Sequence, residues 1–174
     1  MMRTKAVAHY IISQAPPHQL GATKLRKVMW AADVAFYRQF GRTITGQDSY
    51  LRMPYGPVPN GLAEAIHELE TERKVAVYSV PTWAGHRTEY APLERLGATE
   101  FGADEIGAIH FAIDTICPLS AWETSEETYT PLWRSIDNGM QMPVRAAAVI
   151  AGEPTPEEIE WTLERTLDAA QRPI

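Results

Sequence analysis

The residues of this chain that could do chemistry are five histidines, one cysteine and a run of carboxylates at Glu123, Glu126 and Glu127. His9, His18, His67, His86 and His110 are scattered, with no His-x-x-x-His pair and no cysteine at a zinc-ligand spacing, so the pattern points to no metal centre. Cys117 lies in Ala112-Ile-Asp-Thr-Ile-Cys-Pro118 and reads as a buried helix residue. A single cysteine forms no internal disulfide, which fits a reducing cytoplasm. No Gly-x-x-x-x-Gly-Lys loop offers a phosphate cradle, and no Gly-x-Ser-x-Gly elbow presents a nucleophilic serine. Acid/base work by paired carboxylates needs one buried partner with a raised pKa, whereas the three glutamates read as an exposed helix edge. The sequence therefore yields no catalytic set, no metal ligands and no cofactor. An unrecognised small-enzyme site using Glu126 or His110 is a third reading of function, behind two kinds of protein recognition.

The elements that position these residues are mostly helical. Val7, Ala8, Ile11 and Ile12 share a face over residues 3–15, which stop before Pro16-Pro17. Over 22–40, Leu25, Met29, Ala32, Phe36 and Phe40 form one apolar stripe and Trp30, Val34 and Tyr37 another, ending at Gly41. A helix apolar on two sides is central. Residues 47–53 alternate weakly and lead as a short strand into Tyr50-Leu-Arg-Met-Pro-Tyr-Gly-Pro-Val-Pro-Asn-Gly-Leu62. The prolines there fix their own φ and push Met53, Gly56 and Val58 toward extended backbone. The spacing predicts a turn at Gly56 and a helix from about 59 to 72, with Pro59 in its first turn. This stiff corner is either a structural junction or also a recognition loop through Tyr55.

Lys74–Val80 and Arg87–Ala91 read as a β-hairpin around a six-residue loop, with Trp83 exposed at its tip. Asp104 and Glu105 open a helix that carries Ile106, Ile109, Ile113 and Ile116 and ends at Pro118. Ser120-Ala-Trp-Glu123 has the capping-box pattern of a further short helix. Thr155-Pro-Glu-Glu158 repeats it before a last helix over about 155–171, whose apolar face is Ile159, Leu163, Leu167 and Ala170. The expected fold is mainly α (α+β): a compact helical bundle with a small β-hairpin or short antiparallel sheet, in one domain over 1–174.

At 174 residues such a domain buries enough surface to need no metal or disulfide staple. No apolar run reaches the length of a membrane span, and the N-terminus lacks the apolar core of a signal peptide, so a cytoplasmic protein without a membrane partner is expected. Residues 1–60 carry eight Lys/Arg against Asp33 and Asp48, whereas 61–174 carry eight against twenty Asp/Glu. The formal net charge is −6. That balance disfavours direct nucleic-acid binding, which rests on neutralising phosphates, and suits a basic partner protein.

Thr23-Lys-Leu-Arg-Lys-Val-Met-Trp-Ala-Ala32, Gly41-Arg-Thr-Ile-Thr-Gly46 and Tyr55-Gly-Pro-Val-Pro59 occur in the order and spacing of the Panacea domain, so the chain resembles the SocA-like antitoxin family. Trp122-Glu-Thr-Ser-Glu-Glu-Thr-Tyr-Thr-Pro-Leu-Trp133 and Gly139-Met-Gln-Met-Pro143 resemble its later segments, so the likeness runs over about 5–150. Lys24, Leu25, Trp30, Gly41, Gly56, Pro57 and Trp133 carry the motif. Two positions depart: Trp30 stands where the family commonly has tyrosine, and Tyr129 where it commonly has histidine. Tyr129 offers no imidazole base, which counts against chemistry shared through that position.

The resemblance implies a bacterial or phage antitoxin that neutralises a cognate toxin by direct binding. The alternative it implies is an adaptor that hands the toxin to a bacterial protease such as ClpXP. Stiff aromatic loops suit recognition, because Tyr and Trp give large contact area at little ordering cost. Arg42, Arg52, Tyr55, Trp83 and Trp161 are the candidate partner contacts. Trp30, Tyr37 and Trp133 are expected in the core.

Overall fold

The computed structural model describes residues 2–83, 85–120, 123–124 and 130–150. Helix α1 (Met2–Gln14) is followed by α2 (Ala22–Phe40), then strands β1 (Ser49–Met53) and β2 (Gly56–Pro59), helix α3 (Leu62–Thr71), and strands β3 (Val75–Thr82) and β4 (Gly85–Pro92). A 3-10 turn at Ala98–Glu100 precedes α4 (Ala103–Ile116), then α5 (Pro131–Ser135), β5 (Gln141–Pro143) and α6 (Val144–Ile150). The fold is mainly helical α+β, with two small antiparallel sheets, one ordered β2-β1-β5 and the other the β3-β4 ribbon. Among the described residues, no helix is long and apolar enough to cross a membrane.

Helix α2 is central, as its two apolar stripes require: Leu25, Val28, Met29, Ala32 and Phe36 are buried in one cluster with Ile11 of α1, Tyr50 of β1 and Ile109 and Ile113 of α4. Trp30 and Tyr37 are only half-buried against that cluster, and Phe40, at the last turn, is exposed. Trp30 meets Tyr50 edge-on, ring centroids 5.1 Å apart. Trp133 is likewise half-buried rather than in the core. Gly41 ends α2 in the left-handed region, φ 65, its N–H donating to Tyr37 O at 2.9 Å, which is the glycine C-cap the sequence suggests.

The proline corner differs from expectation. The chain turns at Pro54–Tyr55, and Gly56 opens β2 paired to Met53, so residues 50–59 form a hairpin rather than a strand running into a helix. Pro59 pairs with Tyr50 in β2, and α3 starts only at Leu62, after Gly61 at φ 71. The physical reason lies in the alternation of a strand. The close Met53↔Gly56 pair ends the ladder at the turn, which directs Gly56 and Val58 toward β1 and Pro57 and Pro59 away from it. Their missing N–H groups then fall on the outer edge, where a proline costs no ladder hydrogen bond and leaves no donor for another strand. Asn60 finishes the corner: its N–H donates to Gln47 Oε1 at 2.8 Å and its Nδ2 to Ser49 O at 3.1 Å.

The β3-β4 ribbon is longer than expected. Pairing continues through Pro81↔His86 to Thr82↔Gly85, so the expected six-residue loop shrinks to the residues between 82 and 85. Gly85 at φ 126 permits the tight return. Trp83 stands at its tip fully exposed. β5 was not expected as a strand; it adds to β1 through Ser49↔Pro143 and Leu51↔Gln141.

Helix α4 follows its isoleucine spacing and ends at Cys117, a free, buried thiol. The capping box after it is present: Ser120 N–H donates to Glu123 Oε2 at 2.7 Å and Glu123 N–H to Ser120 Oγ at 3.2 Å. Trp122, Glu126, Glu127, Tyr129, Trp161 and the helix expected over 155–171 lie outside the described residues.

Gly56 has φ 116, a conformation that side-chain-bearing residues rarely adopt. Gly56→Ala is expected to destabilise the protein by about 1 kcal/mol or more through backbone strain, measured as a shift in urea midpoint without a change in slope.

Candidate partner-binding surface

The family-motif residues build a frame before they build a surface. Asp33, on the core side of α2, is fully buried. Its Oδ1 accepts from the N–H groups of Ile44 at 2.7 Å and Thr45 at 3.0 Å. Its Oδ2 accepts from the Tyr50 hydroxyl at 2.7 Å and from the Thr45 hydroxyl. Burial pushes this carboxyl above the ordinary carboxylate range, against the pull of those donors. Burial, and after it the same carboxylate, raises the Tyr50 phenol well above its usual range. The Gly41–Gly46 loop is thus held by a side chain of the helix it leaves, and Gly41 and Gly46, both at positive φ, let it double back.

Ile44 is served from the other side as well: Arg3 Nε donates to its carbonyl at 3.0 Å. Arg3 also reaches Glu105 at 2.6 Å, and Arg42 reaches the same carboxylate at 3.1 Å while lying 4.9 Å over the Phe36 ring. Glu105 additionally accepts from Gly102 N–H at 3.0 Å, capping α4. Although burial alone would raise it, the Gly102 N–H and the two guanidinium groups hold this carboxyl below the usual range. Arg42, an expected partner contact, is therefore exposed yet engaged within the molecule.

At the opposite end of α4, Lys24 Nζ donates to Cys117 O at 2.6 Å and Lys27 Nζ to Thr124 O. Lys24 thus meets a carbonyl at the α4 C-terminus, where the dipole favours cations, while Lys27 meets one in the turn capped by Ser120 that follows. Lys27 is buried, and burial lowers its pKa to about 8. Arg52, another expected contact, stacks over Trp133 at 3.6 Å and donates to Asn138 Oδ1 at 3.3 Å. Its backbone N–H donates to Met140 O at 2.8 Å, carrying the β1-β5 ladder one step beyond Leu51↔Gln141.

Tyr55 and Trp83 are placed differently. Tyr55 is 71% exposed at the β1-β2 turn, beside the exposed Met53, and the exposed Met140 continues the ladder opposite Arg52. Sequence reasoning missed Met53 and Met140; their apolar character next to the proline turn was the available signal. Trp83 occupies the tip of the other hairpin. The histidines do no comparable work: His9 Nε2 bonds Glu94 O at 2.7 Å and His110 Nε2 bonds the Tyr10 hydroxyl at 3.1 Å. Among the described residues, no group of three or more His, Cys, Asp or Glu could hold a metal ion.

The segments of this frame, from α2 through both hairpins and α4 to α5, coincide with one family description. The model for "Antitoxin SocA-like, Panacea domain" matches residues 25–134. The chain belongs to this family. No curated protein and no solved structure matches it. The matched span includes Asp33, the Gly41–Gly46 loop, the proline hairpin and the Trp83 ribbon, while α1, β5 and α6 lie outside it. The family description names an antitoxin, which implies in general a toxin as partner and a role other than catalysis.

Two predictions test the frame. Asp33→Ala is expected to cost more than about 3 kcal/mol, because it strands several buried donors, whereas Tyr50→Phe, which removes one hydroxyl, should cost about 1–2 kcal/mol. Chemical denaturation of both variants measures this. For Lys27, the unfolded state holds its proton up to about 10.5 and the folded state only to about 8. Between those values the unfolded state binds more protons, so folded stability rises with pH. Wild type is expected to gain stability relative to Lys27→Met between pH 8 and about 9.5, read as the difference of two urea titrations; parallel curves would refute the assignment.

Proposed function

We propose that this protein neutralises its toxin by direct binding, with the Tyr55 hairpin tip as the principal contact and Trp83 as a second. The observation that carries this reading is the 71% exposure of Tyr55 on a turn whose neighbours are conformationally fixed. Pro54, Pro57 and Pro59 set φ, Gly56 sits at φ 116, and Asn60 pins the base of the hairpin. A large aromatic side chain presented on a pre-ordered backbone gives up little entropy on binding, which is the economy of an interface hot spot. Exposed Met53 and Met140 supply adaptable apolar area around it. Arg42 and Arg52, already engaged within the molecule, support the surface rather than lead the contact. The excess of carboxylates after residue 60 favours a partner with a basic face.

The reading is tested with the product of the adjacent reading frame, expressed alone and together with this chain. Growth arrest relieved by co-expression is expected; a harmless neighbour would overturn it. The toxin's half-life should be unchanged by this protein, since sequestration does not shorten it, whereas a shortened half-life would favour delivery to a protease. Tyr55→Ala is expected to leave folding stability within about 0.5 kcal/mol of wild type while weakening the complex by about 2 kcal/mol. Unchanged affinity in calorimetry would remove Tyr55 from the interface.

A further inference from the structure

Helix α4 buries Glu105, Ile109, Ala112, Ile113 and Ile116 on its inner face. On its outer face Asp104, Gly107 and Phe111 are exposed and Ala108 is half-buried, four residues at i, i+3, i+4 and i+7 that form one stripe. A helix stripe facing water is ordinarily polar. This one holds a carboxylate at one end, two small residues in the middle and a phenylalanine, 62% exposed, at the other. Between the stripe and the last turns of α2 lies a cleft of about 510 Å³, completed by Ala35 and Arg38, and its whole lining falls among the described residues.

Nothing among the described residues calls for a glycine at 107. Glycine is a poor residue for the middle of a helix, yet a Cβ added there would meet nothing within 4 Å. At Gly21, by contrast, a Cβ would meet the Thr88 carbonyl oxygen at 3.2 Å. What the bare backbone at Gly107 provides is room for a close approach from outside the chain.

The charges of the cleft indicate what approaches. Arg38 spends only its Nε within the chain, on the Ala148 carbonyl at 3.2 Å, and the Asp104 side chain bonds nothing among the described residues. Arg38 and Phe111 both also line the next cleft along the helix pair, so they share a level, whereas Asp104 stands two turns, about 10 Å, further along α4. A uniformly basic partner would be repelled by the guanidinium and a uniformly acidic one by the carboxylate. A second copy of the same face, turned by half a rotation, answers both charges at once. The same rotation lays each phenylalanine over the small residues of the other copy, the self-complementarity of a two-fold interface.

We propose that the α2–α4 face pairs with the same face of a second copy of this chain about a two-fold axis. Phe111 of each copy enters the cleft beside Gly107 of the other, and Arg38 of each meets Asp104 of the other. None of the lining residues belongs to either hairpin, so the pairing stands or falls independently of toxin binding.

Sedimentation of the full chain from about 1 to about 500 µM is expected to show a reversible monomer–dimer equilibrium with a dissociation constant of roughly 10–100 µM, as suits an interface at the small end of specific contacts. Gly107→Gln puts a better helix former in the helix and fills the cleft, so it should melt no lower than wild type yet weaken the dimer at least about tenfold. Arg38→Glu and Asp104→Arg, each checked by circular dichroism to be folded, should self-associate more weakly than wild type. An equimolar mixture of those two should associate as wild type does, because only the mixed pair sets opposite charges at both contacts. A monomer throughout the range, a dimer that Gly107→Gln leaves intact, or a mixture no tighter than the single variants would each overturn the proposal.

Discussion

The buried carboxylate of Asp33 is the interaction on which the rest of the structure depends. A carboxylate taken out of water is tolerable only if its lone pairs are met, and here they are met by two backbone N–H groups and two hydroxyls from the residues that follow α2. One side chain therefore fixes where the chain goes after the central helix. It holds the Gly41–Gly46 loop against α2 and sets the depth of Tyr50, and with it the position of β1. Because β1 is the middle strand of its sheet, placing Tyr50 also places the proline hairpin on one side and β5 on the other. The exposed Tyr55 tip is thus referenced to α2 through a short, rigid chain of contacts.

The charges around that node are arranged by the same logic. Glu105 gathers Arg3, Arg42 and the N-terminal amide of α4, so three segments distant in sequence converge on one carboxylate. Lys24 does the converse at the other end of α4, offering its ammonium to the Cys117 carbonyl, while Lys27 ties α2 to the following turn at Thr124. Both ends of α4 are consequently tied to α2 or its neighbours by groups matched in sign to the helix dipole. The basic excess of the first 60 residues, which at first suggests a surface property, is thus partly consumed in internal satisfaction. The positively charged motif residues Lys24, Arg42 and Arg52 serve the frame, whereas Tyr55, Trp83, Met53 and Met140 are left exposed.

Much of the frame was legible in the sequence because it is periodic and local. The Leu25–Phe36 stripe of α2, the isoleucine spacing of α4 and the Ser120–Glu123 cap survive in the structure, while Trp30 and Tyr37 of the second stripe are only half-buried. The buried charges were not legible: Asp33 and Lys27 look like ordinary helix-surface residues until partners at Thr45, Tyr50 and Thr124 are brought to them, and periodicity carries no information about contacts at that separation. The proline corner was misread for a related reason. Proline argues against a strand in general, but Pro57 and Pro59 alternate so that both face the unpaired edge, where the argument fails. The same alternation rule, applied to the pair rather than to each proline, distinguishes a hairpin from a helix start.

Prolines on an outer edge also bear on how the surface can be used. An edge strand without outward N–H groups is a poor template for an incoming strand, so what this hairpin offers a partner is side chains rather than backbone pairing. That constraint favours the turn, where Tyr55 projects, over the flank. Gly56, Pro57 and Pro59 are themselves buried with β2 packed against α2, so the exposed part of the hairpin is Met53, Pro54 and Tyr55 at the turn. The same two prolines that stiffen the hairpin therefore leave its edge without donors for backbone pairing.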